Sequence, residues 1–225
     1  MASTFFGLHI GSSALSSFQV ATNTTANNIA NVKTTGYTRQ EATLQAKDAI
    51  NVTARYGSVG TGVTVTSIKQ QRDLYYDNKY WENNSYYGRY EQKLYYMEQI
   101  QNYFKDNGSS VKGFSSVFSQ MFSDLDTLRS KPSDKTVRNQ FISSAQSLCT
   151  YFNQMSDNLS KLQDDCNEEI RNNVDKINSI SEKISLLNKE INQIETGTGV
   201  EASSLRDERA NLIDSLSKIV NVSYN

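Results

Sequence analysis

Residues that carry chemistry are scarce in this sequence. It contains one histidine and two cysteines in 225 residues. His9 stands alone, and neither Cys149 nor Cys166 has a histidine or a second cysteine at zinc-ligand spacing. The cysteines lie in what reads as one helix, where 17 residues put them about 25 Å apart, too far for a disulfide. We therefore expect no metal, no cofactor and no internal disulfide.

Long apolar runs and excess positive charge are also absent. No stretch of eighteen apolar residues occurs, which argues against a membrane span. The N-terminus lacks the basic region and the apolar region of a cleaved secretory signal. A net charge of −1 and a pI near 5.9 give no basic footprint for nucleic acid or an anionic membrane. From these absences we expect no membrane partner and no nucleic-acid partner.

Catalytic motifs are missing as well. The sequence has no glycine-rich phosphate loop, nucleophile elbow or His-Glu metal motif. Carboxylate pairs such as Asp164-Asp165 and Glu168-Glu169 are adjacent on a predicted helix, so their side chains point in different directions. We interpret them as a solvated face and expect no enzyme and no small-molecule substrate.

With a single proline, Pro132, and long apolar periodicity in steps of three and four, the chain is predicted to be mainly helical. We expect an elongated antiparallel bundle or coiled coil with a small β element and an N-terminal helix that orders on assembly.

Residues 2–32 contain no Asp, Glu, Lys or Arg. An isolated surface helix carries charges on its wet face, so a helix free of them suits enclosure by neighbours. A flexible polar tail is the alternative from composition alone. A regular stripe favours the helix: Leu8, Gly11, Leu15, Phe18, Thr22, Thr25 and Ile29.

The helix is predicted to end near Asn31. The amides of Asn27, Asn28 and Asn31 can bond nearby backbone and compete with the helix, and Gly36 tolerates a positive φ. An extended segment should then leave from Tyr37. It passes Leu44 and three loop glycines and reaches a β-branched strand at residues 63–68.

A second helix is predicted from Arg72 to about Asp106. Interleaved tyrosines can stack on single-stranded nucleic acid, but acidic residues mixed among them favour packing between helices or subunits. Its main stripe is Tyr87, Tyr90, Leu94, Met97 and Phe104, and a weaker one is Leu74, Asn78 and Trp81.

Residues 107–110 should break the chain before a shorter helix that starts near Phe114. After Pro132, Ser133 is the predicted N-cap of a helix of about sixty residues, roughly 90 Å long, that reaches a turn at residues 196–199. The segment after this turn should fold back antiparallel, through Leu205, Leu212, Leu216 and Ile219. Residues 220–224 alternate as a strand would.

Two segments carry a family resemblance. ANNIANVKTTGYTRQ, residues 26–40, resembles the N-terminal signature of bacterial flagellar axial proteins, although Thr35 stands where that family has proline. GTGVTVTSIKQQRD, residues 60–73, resembles their second signature. VRNQF, AQSL and SLRDERANLIDSLSKIVNVS further resemble the hook-associated protein 1 family of the hook-filament junction.

This resemblance implies a structural subunit that leaves the cell through the flagellar type III channel without a cleaved signal and assembles into a tubular ring in the extracellular flagellum. Its implied partners are further copies, the hook protein, the next junction protein, the export apparatus and an export chaperone. It implies a core helix at 1–36, a connector at 37–70, an outer helical bundle at 71–220 and the start of a truncated domain at 221–225. The expected assembly residues are Leu8, Leu15, Phe18, Asn27, Asn28, Ile29, Asn31, Gly36 and Tyr37.

Two other interpretations stay open at this stage. A rod or hook subunit shares ANNIAN, but it passes into β-rich domains rather than a helical bundle. An intracellular coiled-coil adaptor explains the long stripe and leaves the uncharged N-terminus unexplained. Since the family has a C-terminal helix that partners the first one, we expect this chain to be a fragment or a natural truncation.

Overall fold

The computed structural model describes residues 5–51, 57–106 and 113–223. The prediction of a mainly helical fold with a small β element is confirmed. In chain order the elements are α1 (Phe6–Ala30), β1 (Gln40–Ala46), β2 (Ile50–Asn51), β3 (Ser58–Val59), β4 (Val63–Gln70), α2 (Leu74–Tyr103), α3 (Phe114–Ser130), α4 (Lys135–Thr198) and α5 (Ser203–Ser217). Across the described ranges, every helix is too short or too polar to cross a lipid bilayer.

The chain divides into two compact units. One contains residues 1–85 and 177–225, and the other contains residues 86–176. The predicted break at residues 107–110 lies outside the described residues.

In the first unit, β1 and β4 form an antiparallel pair that runs from Gln40 opposite Gln70 to Ala46 opposite Val63. The predicted strand at residues 63–68 is confirmed, and its partner is the extended stretch that holds Leu44. The short pair of β2 with β3 was not predicted, because two residues per strand carry too little alternation to detect.

Helix α1 packs on this sheet through small and polar side chains. Ser17 and Thr24 are buried, and Ser17 Oγ donates to the Val63 carbonyl at 3.1 Å. Gly62, at φ +106°, allows this approach, since a Cβ there would lie 2.3 Å from Ser13 Oγ. The predicted apolar stripe therefore lies on the opposite face, and its large side chains are exposed in this chain.

The predicted fold-back after α4 is confirmed. Gly199, at φ +67°, takes the left-handed position, and its N–H bonds the Glu195 carbonyl at 2.9 Å. Arg206 of α5 donates two bonds to the Glu195 carboxylate, at 2.7 and 2.8 Å. Arg209 then bonds Asn188, seven residues or about two turns further back along α4, which fixes the antiparallel direction.

Three local predictions in these regions need correction. Helix α4 continues through Thr198, so most of the predicted turn at residues 196–199 is helical. Asp134, not Ser133, caps α4, because Asp134 Oδ1 accepts the Thr136 N–H at 2.8 Å. The strand predicted at residues 220–224 is wrong for residues 220–223, which are irregular and pair with no described strand; Tyr224 lies outside the described residues.

In the second unit, α3 packs on α4 through aromatic rings. Phe114 stacks on Phe118 and contacts both Tyr151 and Phe152. Further along α3, the buried Asp124 carboxylate accepts bonds from the side chains of Gln120 and Gln140. These contacts fix the register of α3 along α4.

Helix α2 also packs through its more polar side. Its Tyr96 hydroxyl donates to Glu169 of α4 at 2.5 Å. The bond to Glu169, together with burial, raises the pKa of Tyr96 well above its usual value. The predicted stripe of Tyr87, Tyr90, Leu94, Met97 and Phe104 instead lies exposed.

Candidate assembly site

The predicted assembly residues fall into two groups in the structure. Asn27, Asn28, Asn31, Gly36 and Tyr37 come together where α1 ends and the chain turns toward β1. The remaining four lie on the outer face of α1, with exposed fractions of 60–71%: Leu8, Leu15, Phe18 and Ile29. We call residues 27–40 the exit turn and those four side chains the α1 stripe.

Asn28 fixes the direction in which the chain leaves α1. Its Nδ2 donates to the Gln40 carbonyl at 2.8 Å, and its Oδ1 accepts the Gln40 N–H at 2.9 Å. The side-chain amide thus satisfies both backbone groups of the first residue of β1, as a neighbouring strand would. Because both bonds come from one rigid amide, β1 has a defined start relative to the helix.

A smaller polar network closes the end of α1. Asn31 Nδ2 donates to the carbonyl and the Oδ1 of Asn27, both at 3.0 Å, and Thr34 Oγ1 donates to Asn31 Oδ1. The Tyr37 hydroxyl donates to Asn28 Oδ1 at 2.8 Å and accepts from Asn27 Nδ2 at 3.1 Å. Burial and the nearby Asp207 carboxylate raise the pKa of Tyr37, and the bond from Asn27 opposes this shift.

The exit turn lies directly against α5. Gly36 has φ +77°, and a Cβ at this position would lie 1.7 Å from Asn211 Oδ1. Only glycine meets both conditions without strain, since the conformation disfavours a side chain and the space is already filled. Gly36 is therefore required here for its backbone conformation and for close approach to α5.

Asp207 of α5 joins the exit turn to the end of β4. It is buried, with 9% of its surface exposed. Its Oδ2 accepts the Thr38 N–H at 3.3 Å, and its Oδ1 accepts Gln70 Nε2 at 2.8 Å. Gln70 also donates to the Ser203 carbonyl at 2.9 Å. Sequence reasoning missed Asp207, Asn211 and Gln70 as site residues, because contacts between residues more than 130 positions apart leave no local pattern.

One face of α5 holds three earlier segments of the chain. Asp207, Asn211, Asp214 and Ser217 are spaced by three or four residues and so share this face. Asp214 Oδ1 accepts the Trp81 indole N–H at 2.7 Å, and Ser217 Oγ accepts from Asn84 at 2.8 Å. The exit turn, the end of β4 and the start of α2 are all positioned by this α5 face.

A cavity of about 310 Å³ lies among β4, α2 and α5 in the same unit. Arg72 and Asp77 in its wall pair with each other at 2.6 Å, and Arg206 pairs with Glu201 at 3.4 Å. In residues 5–51, 57–106 and 113–223, no group of three His, Cys, Asp or Glu side chains could hold a metal ion. Each ion pair joins residues five positions apart, one at the start of α2 and the other at the start of α5.

Two family models match the chain. The model described as flagellar hook-associated protein FlgK helical domain matches residues 97–225, which include α3, α4 and α5. The model described as flagella basal body rod protein matches residues 8–38, which cover nearly all of α1 and of the exit turn.

The curated relatives of this chain are also flagellar hook-associated proteins. The chain is 34% identical to flagellar hook-associated protein 1 of Bacillus subtilis (strain 168), over 100% of this chain and 45% of that protein. It is 33% identical to the protein of the same name from Salmonella typhimurium, over 93% of this chain and 37% of that protein. It is 32% identical to flagellar hook-associated protein 1 of Escherichia coli (strain K12), over 93% of this chain and 38% of that protein. The chain thus spans less than half the length of these relatives, and it belongs to the flagellar hook-associated protein FlgK family.

Proposed function

We propose that this chain belongs to a structural subunit of the bacterial flagellum that sits at the hook-filament junction and assembles there into a tubular ring. Family membership supports the proposal, since the curated relatives are named as flagellar hook-associated proteins. The role is structural rather than catalytic, and the subunit reaches the extracellular flagellum through the flagellar type III channel without a cleaved signal.

The observation that carries this proposal is the α1 stripe. Helix α1 is held to its own sheet by small polar residues such as Ser17, while Leu8, Leu15, Phe18 and Ile29 stay 60–71% exposed. A soluble monomer gains nothing from such a row, and rows of this kind mark association surfaces. The stripe suits burial against neighbouring helices in the inner core of a polymer.

In the assembled ring, residues 1–36 would form the inner core, 37–70 the connector, 71–220 the outer helical layer and 221–225 the start of a further domain. The outer layer would meet the hook protein on one side and the next junction protein on the other. An export chaperone and the export apparatus are further proposed partners. The exit turn would set the angle between core and outer layer, because Gly36 and Asn28 fix the path of the chain there.

Deletion of the gene tests the proposal directly. Flagella of the deletion strain are imaged, and the medium is assayed for unpolymerised filament protein. Hooks that end bare, with filament subunits in the medium, are the expected result. Unaltered flagella would contradict a role in this structure.

A rod or hook subunit is the second candidate, because residues 8–38 match the rod-protein model. The same deletion strain distinguishes a junction protein from a rod or hook subunit. Loss of the hooks themselves would move the protein from the junction down to the rod or hook.

A further inference from the structure

The hydrogen bonds between α5 and the earlier part of its unit converge on one side chain. Among the described contacts, three bonds join α5 to the exit turn and to β4. Asp207 accepts two of them, from the Thr38 N–H at 3.3 Å and from Gln70 Nε2 at 2.8 Å. The third runs from the same Gln70 amide to the Ser203 carbonyl at 2.9 Å. One carboxylate therefore holds both the segment that enters the sheet and the strand that leaves it.

The two segments held by Asp207 are also bound to each other. Gln40 lies opposite Gln70 in the antiparallel pair of β1 and β4. The Gln71 N–H donates to the Arg39 carbonyl at 2.8 Å and so extends the pairing by one step toward the exit turn. A single hydrogen bond would leave the sheet free to turn about it. Because Asp207 binds two segments with a fixed separation, it sets the rotation of the sheet about α5 as well as the distance between them.

Helix α1 is attached to the same sheet at two points. Ser17 Oγ donates to the Val63 carbonyl at one end of the strand pair. At the other end the Asn28 amide bonds both backbone groups of Gln40. The two attachment points are eleven residues apart, or roughly 16 Å along the helix. Since α1 cannot turn on the sheet without breaking one of them, the direction of α1 follows the direction of the sheet.

We propose that Asp207 is the positioning residue that transmits the orientation of α5 to α1, so that α5 sets the direction of the core helix. This role rests on the proposed ring assembly and adds the residue that controls the angle of the exit turn. The contact of Gly36 with Asn211 limits how closely the turn approaches α5, but it includes no described bond that would fix a rotation.

The length of α1 makes a small rotation costly for assembly. A helix of 25 residues is roughly 38 Å long, so turning it by about 10° at the exit turn moves its far end by about 6 Å. This displacement exceeds the rise of one helical turn, about 5.4 Å. Side chains of α1 that should meet neighbours in the core would then be out of register with them.

The two bonds require a carboxylate at position 207. An asparagine of the same shape has a single acceptor oxygen, so its amino group would face either the Thr38 N–H or the Gln70 amide. Rotation of the Gln70 amide does not resolve this conflict, because its oxygen would then face the Ser203 carbonyl. We therefore expect Asp207→Asn to lose the positioning role although it preserves the size of the side chain.

A distance measurement between spin labels on α1 and α5 tests this role in the purified chain. Labels are attached to cysteines at Asn23, which is exposed and lies between the two attachment points of α1, and at the exposed Ser204 of α5. The native Cys149 and Cys166, both in the other unit, are replaced by serine. Double electron–electron resonance then gives the distribution of distances between the labels.

Asp207→Ala and Asp207→Asn should each widen this distribution at least twofold, while the circular dichroism of the chain stays unchanged. Glu208→Ala is the matched control, since Glu208 is the next residue of α5, is exposed and makes no bond among the described contacts. It should keep the narrow distribution of the parent. A parent distribution as broad as that of Asp207→Ala overturns the proposal, and so does an Asp207→Asn distribution as narrow as that of the parent.

Incorporation into flagella gives a second readout. Asp207→Asn should reduce incorporation at least tenfold by immunoblot, whereas Glu208→Ala should leave it unchanged. Normal incorporation of Asp207→Asn with a widened distance distribution would overturn the role of Asp207 in assembly. Unaltered flagella in the deletion strain would instead overturn the proposed function and leave the measured distances between α1 and α5 unaffected.

Discussion

At the scale of single residues, the site depends on side chains that replace backbone partners. Asn28 bonds both the N–H and the carbonyl of Gln40, and Asp207 accepts the Thr38 N–H. Each bond satisfies a backbone group that has no ladder partner at the end of a strand. Loss of one such partner costs about 1–3 kcal/mol, more than the bond itself contributes, because a buried polar group is then left unpaired.

Replacing Asn28 with Asp should release the start of β1. The carboxylate can still accept the Gln40 N–H, but it cannot donate to the Gln40 carbonyl and repels it. We expect the amide of Gln40 to exchange with solvent at least tenfold faster. Asn27→Asp is the control, since Asn27 makes no bond to Gln40 among the described contacts, and equal effects of the two substitutions would contradict this role of Asn28.

Gly36→Val should block incorporation into flagella and leave α3 and the adjoining part of α4 folded. Valine is strained at φ +77° and collides with Asn211 of α5. Gly57→Val separates the two causes, because Gly57 has φ +72° but no described atom within 4 Å. Incorporation counted by immunoblot should fall for Gly36→Val only; an equal loss in both variants would assign the effect to backbone strain alone.

At the scale of elements, the hairpin of α4 and α5 is closed by charge. The bidentate bond from Arg206 lowers the pKa of Glu195 to about 2. Since the folded pKa lies below the usual 4.5, this carboxylate stabilises the fold at every pH above 4.5. The contribution is lost as the pH falls from 4.5 to 2.

Arg206→Met should therefore reduce stability at neutral pH and flatten the acid dependence between pH 4.5 and 2. Arg206 is 37% exposed, so solvent screening limits the ion-pair contribution to about 1 kcal/mol. Denaturant unfolding at several pH values measures both effects. Lys79→Met is the control, because it removes a longer and more exposed ion pair with Glu82 and should change neither the stability at neutral pH nor its acid dependence. An unaltered acid dependence in Arg206→Met would contradict the role of the Arg206–Glu195 pair.

The elements themselves could be predicted from the sequence more completely than their faces. Local chemistry marks helix ends, so the end of α1 was predicted near Asn31, and the predicted cap of α4, Ser133, is one residue from the actual cap, Asp134. The apolar stripe of α1 was predicted to be enclosed by neighbours and that of α2 to pack between helices or subunits, and in this chain both are exposed. Periodicity shows that a helix has an apolar side, but it does not show whether that side is covered within the chain or by another molecule.

The contacts that complete the site could not be predicted. SLRDERANLIDSL was recognised as family-like, but nothing in one sequence pairs Asp207 with Gln70 or Asn211 with Gly36. These pairs depend on where the long hairpin of α4 and α5 brings the chain back. The small polar side of α1 was missed for a related reason, since Ser17 and Thr24 are also common on solvated faces.

At the scale of the whole molecule, stability and assembly should respond to different faces of α1. Leu15→Asp with Phe18→Asp changes side chains that are 70% and 60% exposed, so the free energy of unfolding should shift by less than about 0.5 kcal/mol. Incorporation into flagella should nevertheless be lost, because the α1 stripe can no longer be buried. Normal incorporation of this variant would show that the α1 stripe is not needed for assembly.

The face of α5 also constrains the order in which the chain can fold. Its bonds to Thr38, Gln70, Trp81 and Asn84 span 130 to 169 residues of sequence. A polypeptide emerges from the ribosome with its N-terminus first, so the first 85 residues appear long before α5. The unit they share with α5 can close only after residue 217 has emerged, and long loop closures of this kind slow folding. Residues 38–84 therefore lack their α5 contacts until the ribosome has passed residue 217.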